Sequence, residues 1–250
     1  WKYLVIGVAT FFASAINALA GGGTLLTFPA LTGMVIPAVV ANVTNHVALF
    51  PGYIGAVSQQ WNAIKKQLHR LYWYLPAALA GGVLGGFLLL RSDESLFRGL
   101  IPYLILSASL LLAFGNKIRD WITKRNEDGS SSNSPMIIST IAVLLAAIYG
   151  GYFGAGLSVI YLAVLGIFNS DSLTELNGLK QILSLTTNMA ASLFFVFSDK
   201  VDWVAAGVMA AFALLGGAAG GRLAGKIKPD TLRIVVVTIG IIVAIIYFIR

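Results

Sequence analysis

The stretch that decides the fold is NALAGGGTLLTFPALTG, which runs from Asn17 to Gly33. Three consecutive glycines, Gly21 to Gly23, interrupt it in the middle of an apolar run. A glycine inside a helix is about 1 kcal/mol less favourable than an alanine, so an unbroken helix would carry that cost three times. The sequence therefore predicts that one helix ends and another begins here, and that the break makes a binding site.

Composition predicts a membrane protein. The 250 residues are 58% hydrophobic and 11% charged, whereas soluble domains are about 25% charged. There is no cysteine, which excludes disulfides, thiolate metal sites and cysteine nucleophiles. The formal charge is +7, and in membrane proteins such an excess of Lys and Arg usually lies in the loops that set the orientation. No nucleic-acid-binding motif accompanies it. We expect an all-α, multi-pass integral membrane protein in a bacterial or archaeal plasma membrane, surrounded by the lipid bilayer and without cofactor or metal.

The start of the chain leaves one alternative open. Lys2, an apolar region and the sequence ALA, Ala18 to Ala20, together resemble a signal peptide with its cleavage site. The same kind of segment recurs in the middle of the chain, where a signal peptide cannot lie. A structural segment explains both occurrences, so it is the preferred interpretation.

The chain repeats itself. Three features recur at nearly constant offsets: a glycine face, a polar residue and the glycine break. Gly81, Gly82, Gly85 and Gly86 match Gly216, Gly217, Gly220 and Gly221 at an offset of 135, Asn42 matches Asn177 at the same offset, and Gly21 and Gly23 match Gly154 and Gly156 at an offset of 133. We predict a first transmembrane repeat over residues 1–115, a polar linker loop over 116–135 and a second transmembrane repeat over 136–250.

The positions of the basic loops favour inverted repeats. Lys65 and Lys66 follow the second apolar block of the first repeat, whereas Lys226 and Lys228 follow a later block of the second. Because Lys and Arg mark cytoplasmic loops, the repeats are expected to have opposite orientations. About ten segments result if each broken block is a hairpin, and about eight spans with re-entrant breaks are the alternative. Inverted repeats with matched broken helices are typical of secondary transporters, whose site lies near the midplane.

The glycine breaks are candidate anion sites, because a helix N-terminus presents free N–H groups and a favourable dipole. The first break precedes Thr24 and the second precedes Ser158, and both hydroxyls can add donors. Close helix packing is the alternative. It is less favoured at the breaks, since irregular backbone at membrane depth is tolerated only where it is buried or lines a cavity. For the glycine faces around Gly81 and Gly216, packing is the preferred interpretation.

Polar residues inside the apolar blocks complete the candidate site. Lys180 is a cation within a predicted span, which is costly and marks a functional site by default, although snorkelling to the interface is an alternative. Asn42, Asn45 and His46 share one helix face, and Asn177, Lys180 and Gln181 share the matching one; interhelical hydrogen bonding is the alternative. Because histidine titrates near neutral pH, His46 is a candidate for coupling transport to protons. The predicted substrate-binding residues are Gly21, Gly22, Gly23, Thr24, Asn42, Asn45, His46, Gly154, Gly156, Ser158, Asn177, Lys180 and Gln181.

Three segments resemble a known family. AGGGTLLTFPAL (Ala20 to Leu31), its degenerate repeat GGYFGAGLSVIYL (Gly150 to Leu162), and ANVTNHVAL (Ala41 to Leu49) resemble the TauE/SafE family, also called TSUP. The resemblance covers nearly the whole chain and implies transport of sulfur-containing anions such as sulfite or organosulfonates, usually as export. The candidate sites read NVTNH and NGLKQ here, which departs from the family pattern, so no particular substrate is carried over.

The residues predict a secondary transporter that works by alternating access, and the resemblance implies that it exports a small sulfur-containing anion. A passive anion channel is one alternative, because channels also use helix dipoles and lysines. An uptake permease for another small anion is the other. The sequence offers no catalytic pair, so an enzyme is not expected, and it leaves the oligomeric state open.

Overall fold

The computed structural model describes residues 2–19, 22–34, 36–127, 136–169, 171–223 and 229–249, and folds them into helices. The predicted all-α class is confirmed within these ranges. Twelve helices are described: α1 (Lys2–Leu19), α2 (Thr24–Thr32), α3 (Ala38–Gln59), α4 (Trp61–Lys65), α5 (Leu68–Arg91), α6 (Glu94–Ala113), α7 (Gly115–Glu127), α8 (Met136–Tyr152), α9 (Leu157–Phe168), α10 (Leu173–Val196), α11 (Trp203–Leu223) and α12 (Pro229–Ile249).

Much of the surface of the described residues is apolar. Two of the described helices, α5 and α6, are long and apolar enough by themselves to cross a membrane, and shorter apolar stretches lie in α1, α8, α9, α11 and α12. Large side chains such as Leu84 on α5, Tyr103 on α6 and Leu145 on α8 are exposed rather than packed. Apolar surface on this scale is not typical of soluble monomers and fits a protein that lies in a lipid bilayer.

The helices pair in a pattern that recurs in the two halves. The helix α1 packs along α11, and α8 packs along α5. The helix α3 contacts α11 and α10, while α10 contacts α5 and α3, and α6 pairs with α12. Each half therefore uses the other half for its closest partners. This arrangement places α3 and α10, which carry the polar faces predicted from the sequence, at the centre of the bundle.

Glycine faces allow the closest helix pairs to form. A Cβ atom on Gly81 would lie 2.7 Å from the Leu144 carbonyl oxygen of α8, and one on Gly82 would lie 2.6 Å from the Thr187 carbonyl oxygen of α10. Gly216 lies in the same way against the backbone of Phe11 on α1. No larger residue fits between backbones this close. The predicted packing role is therefore confirmed for Gly81, Gly82 and Gly216, whereas a Cβ atom on Gly217 would meet nothing closer than 3.8 Å.

The predicted linker loop is wrong in its first part, because α7 covers residues 115–127. Ile118 and Ile122 lie one turn apart and give this charged segment an apolar stripe. Ile122 is fully buried against Gly166 of α9. This packing holds the segment as a helix, although its charged residues conceal the stripe in the sequence. The Gly/Ser/Asn tail of the predicted linker, residues 128–135, lies outside the described residues.

Both broken helices predicted from the sequence are present. The chain leaves α1 after Leu19 and begins α2 at Thr24, and it leaves α8 after Tyr152 and begins α9 at Leu157. The backbone φ angle is positive at Gly22, at 87°, and at Gly154 and Gly156, at 78° and 73°. Glycine adopts this left-handed conformation without the strain that a side chain would bring. In each half the helices on the two sides of the break contact each other, and we call each such pair a hairpin.

Candidate functional site

The centre of the candidate site is the contact between the second hairpin and α3. A Cβ atom on Gly154 would lie 2.9 Å from Cε1 of His46, so the backbone at the hairpin tip lies directly against the imidazole. His46 is 3% exposed and also packs edge-on against Phe195, with ring centroids 5.6 Å apart. Two residues predicted for the site from different repeats, His46 and Gly154, thus meet in the fold.

The hydrogen bonds of Asn188 fix the orientation of the His46 ring. Asn188 Nδ2 donates to the Ser184 carbonyl at 3.1 Å, which leaves Asn188 Oδ1 to face His46 Nδ1 at 3.1 Å. An amide oxygen only accepts, so Nδ1 carries the hydrogen in the neutral imidazole and Nε2 presents a lone pair. Nε2 is buried and makes no hydrogen bond, and the Phe153 carbonyl is a polar group close to the ring. The site therefore contains one imidazole nitrogen, Nε2 of His46, whose lone pair accepts no hydrogen bond.

Asn42 ties α3 to the end of α8. Its Nδ2 donates at 2.8 Å to the Tyr152 carbonyl, one of the carbonyls that the end of α8 leaves without a helical partner. Asn42 Oδ1 and Asn45 Oδ1 are buried and make no hydrogen bond. Unpaired buried carbonyl oxygens are unfavourable and call for a donor. The site therefore offers acceptors as well as the imidazole, which suits a ligand or water that carries a hydrogen.

The first hairpin is linked to the same cluster through Tyr53. The Gly23 amide donates to Asn17 Oδ1 at 3.4 Å. The hydroxyl of Tyr53, a buried residue on α3, lies close to the side chains of Asn17 and Asn188. A run of polar groups thus extends from the first break to the second. Gly21 lies outside the described residues.

The predicted substrate-binding set leaves out three members of this run. Asn188 extends the polar stripe of its helix, and that position was the one available signal. Tyr53 lies two turns after His46, where a tyrosine in an apolar helix is unremarkable. Asn17 lies just before the glycines, and its role depends on how the chain turns back at Gly22 and Gly23.

The structure does not bring all the predicted residues to His46. Asn177 Nδ2 donates to the Leu173 carbonyl of its own helix at 2.8 Å, Gln181 is buried, and Lys180 is half-buried. Lys180 precedes Asn188 by eight residues, which is about 12 Å along a helix axis. The second polar face therefore forms a separate part of α10.

The hydroxyl residues at the hairpins differ in burial. Thr24 is buried at the start of α2, whereas Ser158 at the start of α9 is half-buried. Among the described ranges of the chain, no group of three His, Cys, Asp or Glu side chains is placed to hold a metal ion.

Comparison with known proteins gives a consistent result. The family model described as sulfite exporter TauE/SafE matches residues 6–247. The chain is similar to the "Probable membrane transporter protein" of Haemophilus influenzae, with 28% identity over 214 residues that cover 85% of this chain and 81% of the relative. It is 27% identical over 247 residues to the "Probable membrane transporter protein ORF9" of a Sinorhizobium species, which covers 95% of this chain and 89% of the relative.

A third relative is the "Probable membrane transporter protein YfcA" of Escherichia coli K12. It is 25% identical over 223 residues, which cover 88% of this chain and 81% of the relative. No solved structure matches the chain significantly.

Proposed function

The chain belongs to the TauE/SafE family of sulfite exporters, and from this premise we propose that it is a secondary transporter for small sulfur-containing anions. Sulfite or an organosulfonate is the proposed cargo, export from the cytoplasm the proposed direction, and alternating access the mechanism. The family match over residues 6–247 and relatives named as probable membrane transporters support transport as the function. The site geometry supports an oxyanion as the cargo.

The proposed architecture consists of two inverted repeats in a cell membrane. The helices α3 and α10 run in opposite directions. The backbone N–H of Asp202, which follows the end of α10, donates to the hydroxyl of Thr44 in the first half of α3. At the other end, Lys66, which lies beyond the end of α3, is beside Glu175 near the start of α10. The first hairpin leads directly into α3 and the second directly into α10. The two hairpins therefore enter from opposite faces. Six helices of 20 to 24 residues, α3, α5, α6, α10, α11 and α12, are long enough to cross.

One observation carries the proposed mechanism: the bare Nε2 of His46 at the tip of the second hairpin. In the neutral ring this lone pair repels an oxyanion. Protonation turns Nε2 into a donor, which can bind the anion or, between cargoes, the Phe153 carbonyl. The anion and the proton would thus enter the site together. The unpaired oxygens of Asn42 and Asn45 complement a cargo that carries a hydrogen of its own, as a singly protonated oxyanion does.

The remaining predicted residues form a second binding position for the anion in this proposal. Lys180 lies about 12 Å along α10 from Asn188, with Asn177 and Gln181 beside it. Its charge attracts the oxyanion on the way to or from His46. Amides and hydroxyls at the starts of α2 and α9, including Thr24 and Ser158, supply further donors near the hairpin tips. Alternating access would move each hairpin relative to the central helices.

The test is binding by the purified protein, measured for sulfite, thiosulfate, small sulfonates, sulfate and chloride. We expect saturable binding of a sulfur-containing anion that is weakened in Lys180→Ala and in His46→Gln. The matched control is Lys65→Ala, which removes an exposed lysine that stacks over Trp61. If no sulfur-containing anion binds, the proposed cargo is wrong. If the Lys180 variant binds as the control does, Lys180 has no part in the site.

Coupling and carrier action need separate measurements in vesicles. We expect uptake of labelled sulfite to show counterflow, which a passive channel does not produce. Transport by the wild type should fall as the pH rises, because the protonated imidazole is the form that binds. An unchanged pH dependence in His46→Gln would remove the proton-coupling role of His46.

A further inference from the structure

A cavity opens at the end of the bundle where α2 ends and α3 begins. Its volume is about 590 Å³, and Thr32, Ala38, Arg98, Gly99 and Tyr247 line it. This volume is ample for a hydrated oxyanion of a few atoms, since it matches pockets that hold larger molecules. The cavity lies outside the polar cluster around His46, and its relation to that cluster is what matters here.

Three aromatic rings in mutual contact link residues next to the cavity to residues of the site. Phe28 on α2, Phe97 on α6 and Phe153 at the second break are all fully buried. The ring centroids of Phe28 and Phe153 are 5.5 Å apart, those of Phe28 and Phe97 are 6.3 Å apart, and those of Phe97 and Phe153 are 6.4 Å apart. We call these three residues the aromatic layer.

Two members of the aromatic layer are next in sequence to residues of the cavity or of the site. Phe97 is followed by Arg98 and Gly99, which line the cavity. Phe153 is followed by Gly154, whose backbone lies against His46. The path is also short along α3, because Ala38 lines the cavity and His46 comes eight residues later, about 12 Å along the axis. The aromatic layer therefore joins the wall of the cavity to the candidate site by direct ring contacts.

One side of the aromatic layer is anchored by hydrogen bonds. Glu94 on α6 accepts from the amides of Ala38 at 2.5 Å and Val39 at 3.1 Å, and so fixes the start of α6 to the start of α3. Phe97 lies one turn after Glu94 and shares that anchor. Phe153, in contrast, lies between α8 and α9 at the hairpin tip. A movement of the tip would displace Phe153 and change the surroundings of His46 at the same time.

We propose that the cavity is the vestibule through which the anion reaches the site from the side of the membrane on which Arg98 lies (the Arg98 face). The aromatic layer is the gate that closes this route. This inference rests on the proposed transport function for its cargo. Apolar constrictions exclude hydrated ions by dewetting. The gate explains why three phenylalanines converge beside a polar site, and its position on the tip links opening of the route to rearrangement of the site.

Cysteine labelling tests the gate on a clean background, because the chain contains no cysteine. Gly99→Cys reports on the vestibule, where a side chain at this position meets no atom within 4 Å. Ser184→Cys reports on the site, because Ser184 is fully buried and lies one turn before Asn188. A membrane-impermeant, negatively charged methanethiosulfonate is added to the Arg98 face of sealed vesicles, and labelling rates are measured with the native gate and with Phe97→Ala.

We expect Gly99→Cys to react quickly with either gate. Ser184→Cys should react slowly with the native gate and at least about tenfold faster with Phe97→Ala, which corresponds to a barrier lowered by about 1.4 kcal/mol. The matched control is Phe197→Ala, which removes an aromatic ring that is 88% exposed and should leave both rates unchanged. Phe97→Leu keeps the core filled and should give an intermediate rate, and it replaces Phe97→Ala if that variant does not fold.

Three results would overturn the proposal. The cavity is not a vestibule if Gly99→Cys is unreactive from the Arg98 face. The aromatic layer is not the gate if Phe97 substitution leaves the Ser184→Cys rate unchanged, or if Phe197→Ala accelerates it equally. Gate-dependent labelling in a protein that binds no sulfur-containing anion would instead retain the gate and reject the proposed cargo, so the two failures are distinguishable.

Discussion

Replacing Gly154 with alanine tests whether the hairpin tip and His46 form one site. At a φ of 78°, an L-residue is about 1–2 kcal/mol less stable than glycine. The new Cβ would also lie 2.9 Å from His46 Cε1 and 3.1 Å from the Gly150 carbonyl oxygen. The imidazole cannot easily withdraw, because Asn188 holds Nδ1 and Phe195 packs against the ring. Overpacking of this kind adds about 1–3 kcal/mol.

Two other glycines provide matched controls. Gly156 has nearly the same backbone, with a φ of 73°, but its Cβ would have Ala108 at 3.4 Å as its nearest contact, so Gly156→Ala adds only the backbone cost. Gly99 lies within α6 with nothing near its Cβ position, and alanine there favours the helix by up to about 1 kcal/mol. We expect melting temperatures in detergent to fall in the order Gly99→Ala, wild type, Gly156→Ala, Gly154→Ala. Sulfite binding should be lost in the last variant.

A double-mutant cycle decides whether the imidazole is the cause. With His46→Ala as the background, Gly154→Ala retains its backbone strain but loses its clash with the imidazole. Its further effect on the melting temperature should shrink toward that of Gly156→Ala, with a remainder from the 3.1 Å contact to the Gly150 carbonyl oxygen. If Gly154→Ala destabilises the two backgrounds equally, the contact with His46 carries no energy and the reasoning about a joint site is wrong.

Two further predictions concern the ends of the bundle. Arg70→Ala removes the ion pair between Arg70 and Asp171, two side chains that are 17% and 16% exposed, and should lower the free energy of unfolding by about 1–3 kcal/mol. Arg98→Ala removes the ion pair between Arg98 and Glu94, which are 66% and 38% exposed, and should lower it by less than about 1 kcal/mol. Equal melting temperatures for the two variants would contradict this ranking. In the inverted arrangement, cysteines at Ser95 and Thr174, near the starts of α6 and α10, should be labelled from opposite sides of sealed vesicles, and labelling of both from one side would rule the inversion out.

The parts of the fold that follow from local chemistry could be predicted from the sequence. The breaks at Gly22 and Gly154 were predictable because glycine is a poor helix former whatever surrounds it. The inward direction of Asn42 and His46 was predictable because polar side chains avoid lipid. The helix α7 was missed because its stability comes from Ile122 packing on α9, a contact between segments far apart in sequence.

The candidate site was less accessible to sequence reasoning for a related reason. Its central contacts, from His46 to Gly154 and to Asn188, join residues more than a hundred positions apart. A repeat offset indicates which positions correspond, but it does not indicate which positions meet. The aromatic layer gave no signal, because three phenylalanines in an apolar chain are ordinary until the fold brings them together.

In the proposed mechanism Lys180 attracts the anion and His46 binds and releases it, and these separate roles follow from what a carrier must do. A fixed charge attracts an anion but also holds it, and transport requires binding weak enough for the cargo to leave. A histidine binds the oxyanion while protonated and presents a lone pair to it once the proton is lost, so the same residue favours both capture and release. Because His46 lies against the tip that carries Phe153, the change of protonation would occur where the proposed gate moves. Lys180, about 12 Å away along α10, can attract the anion without preventing its departure.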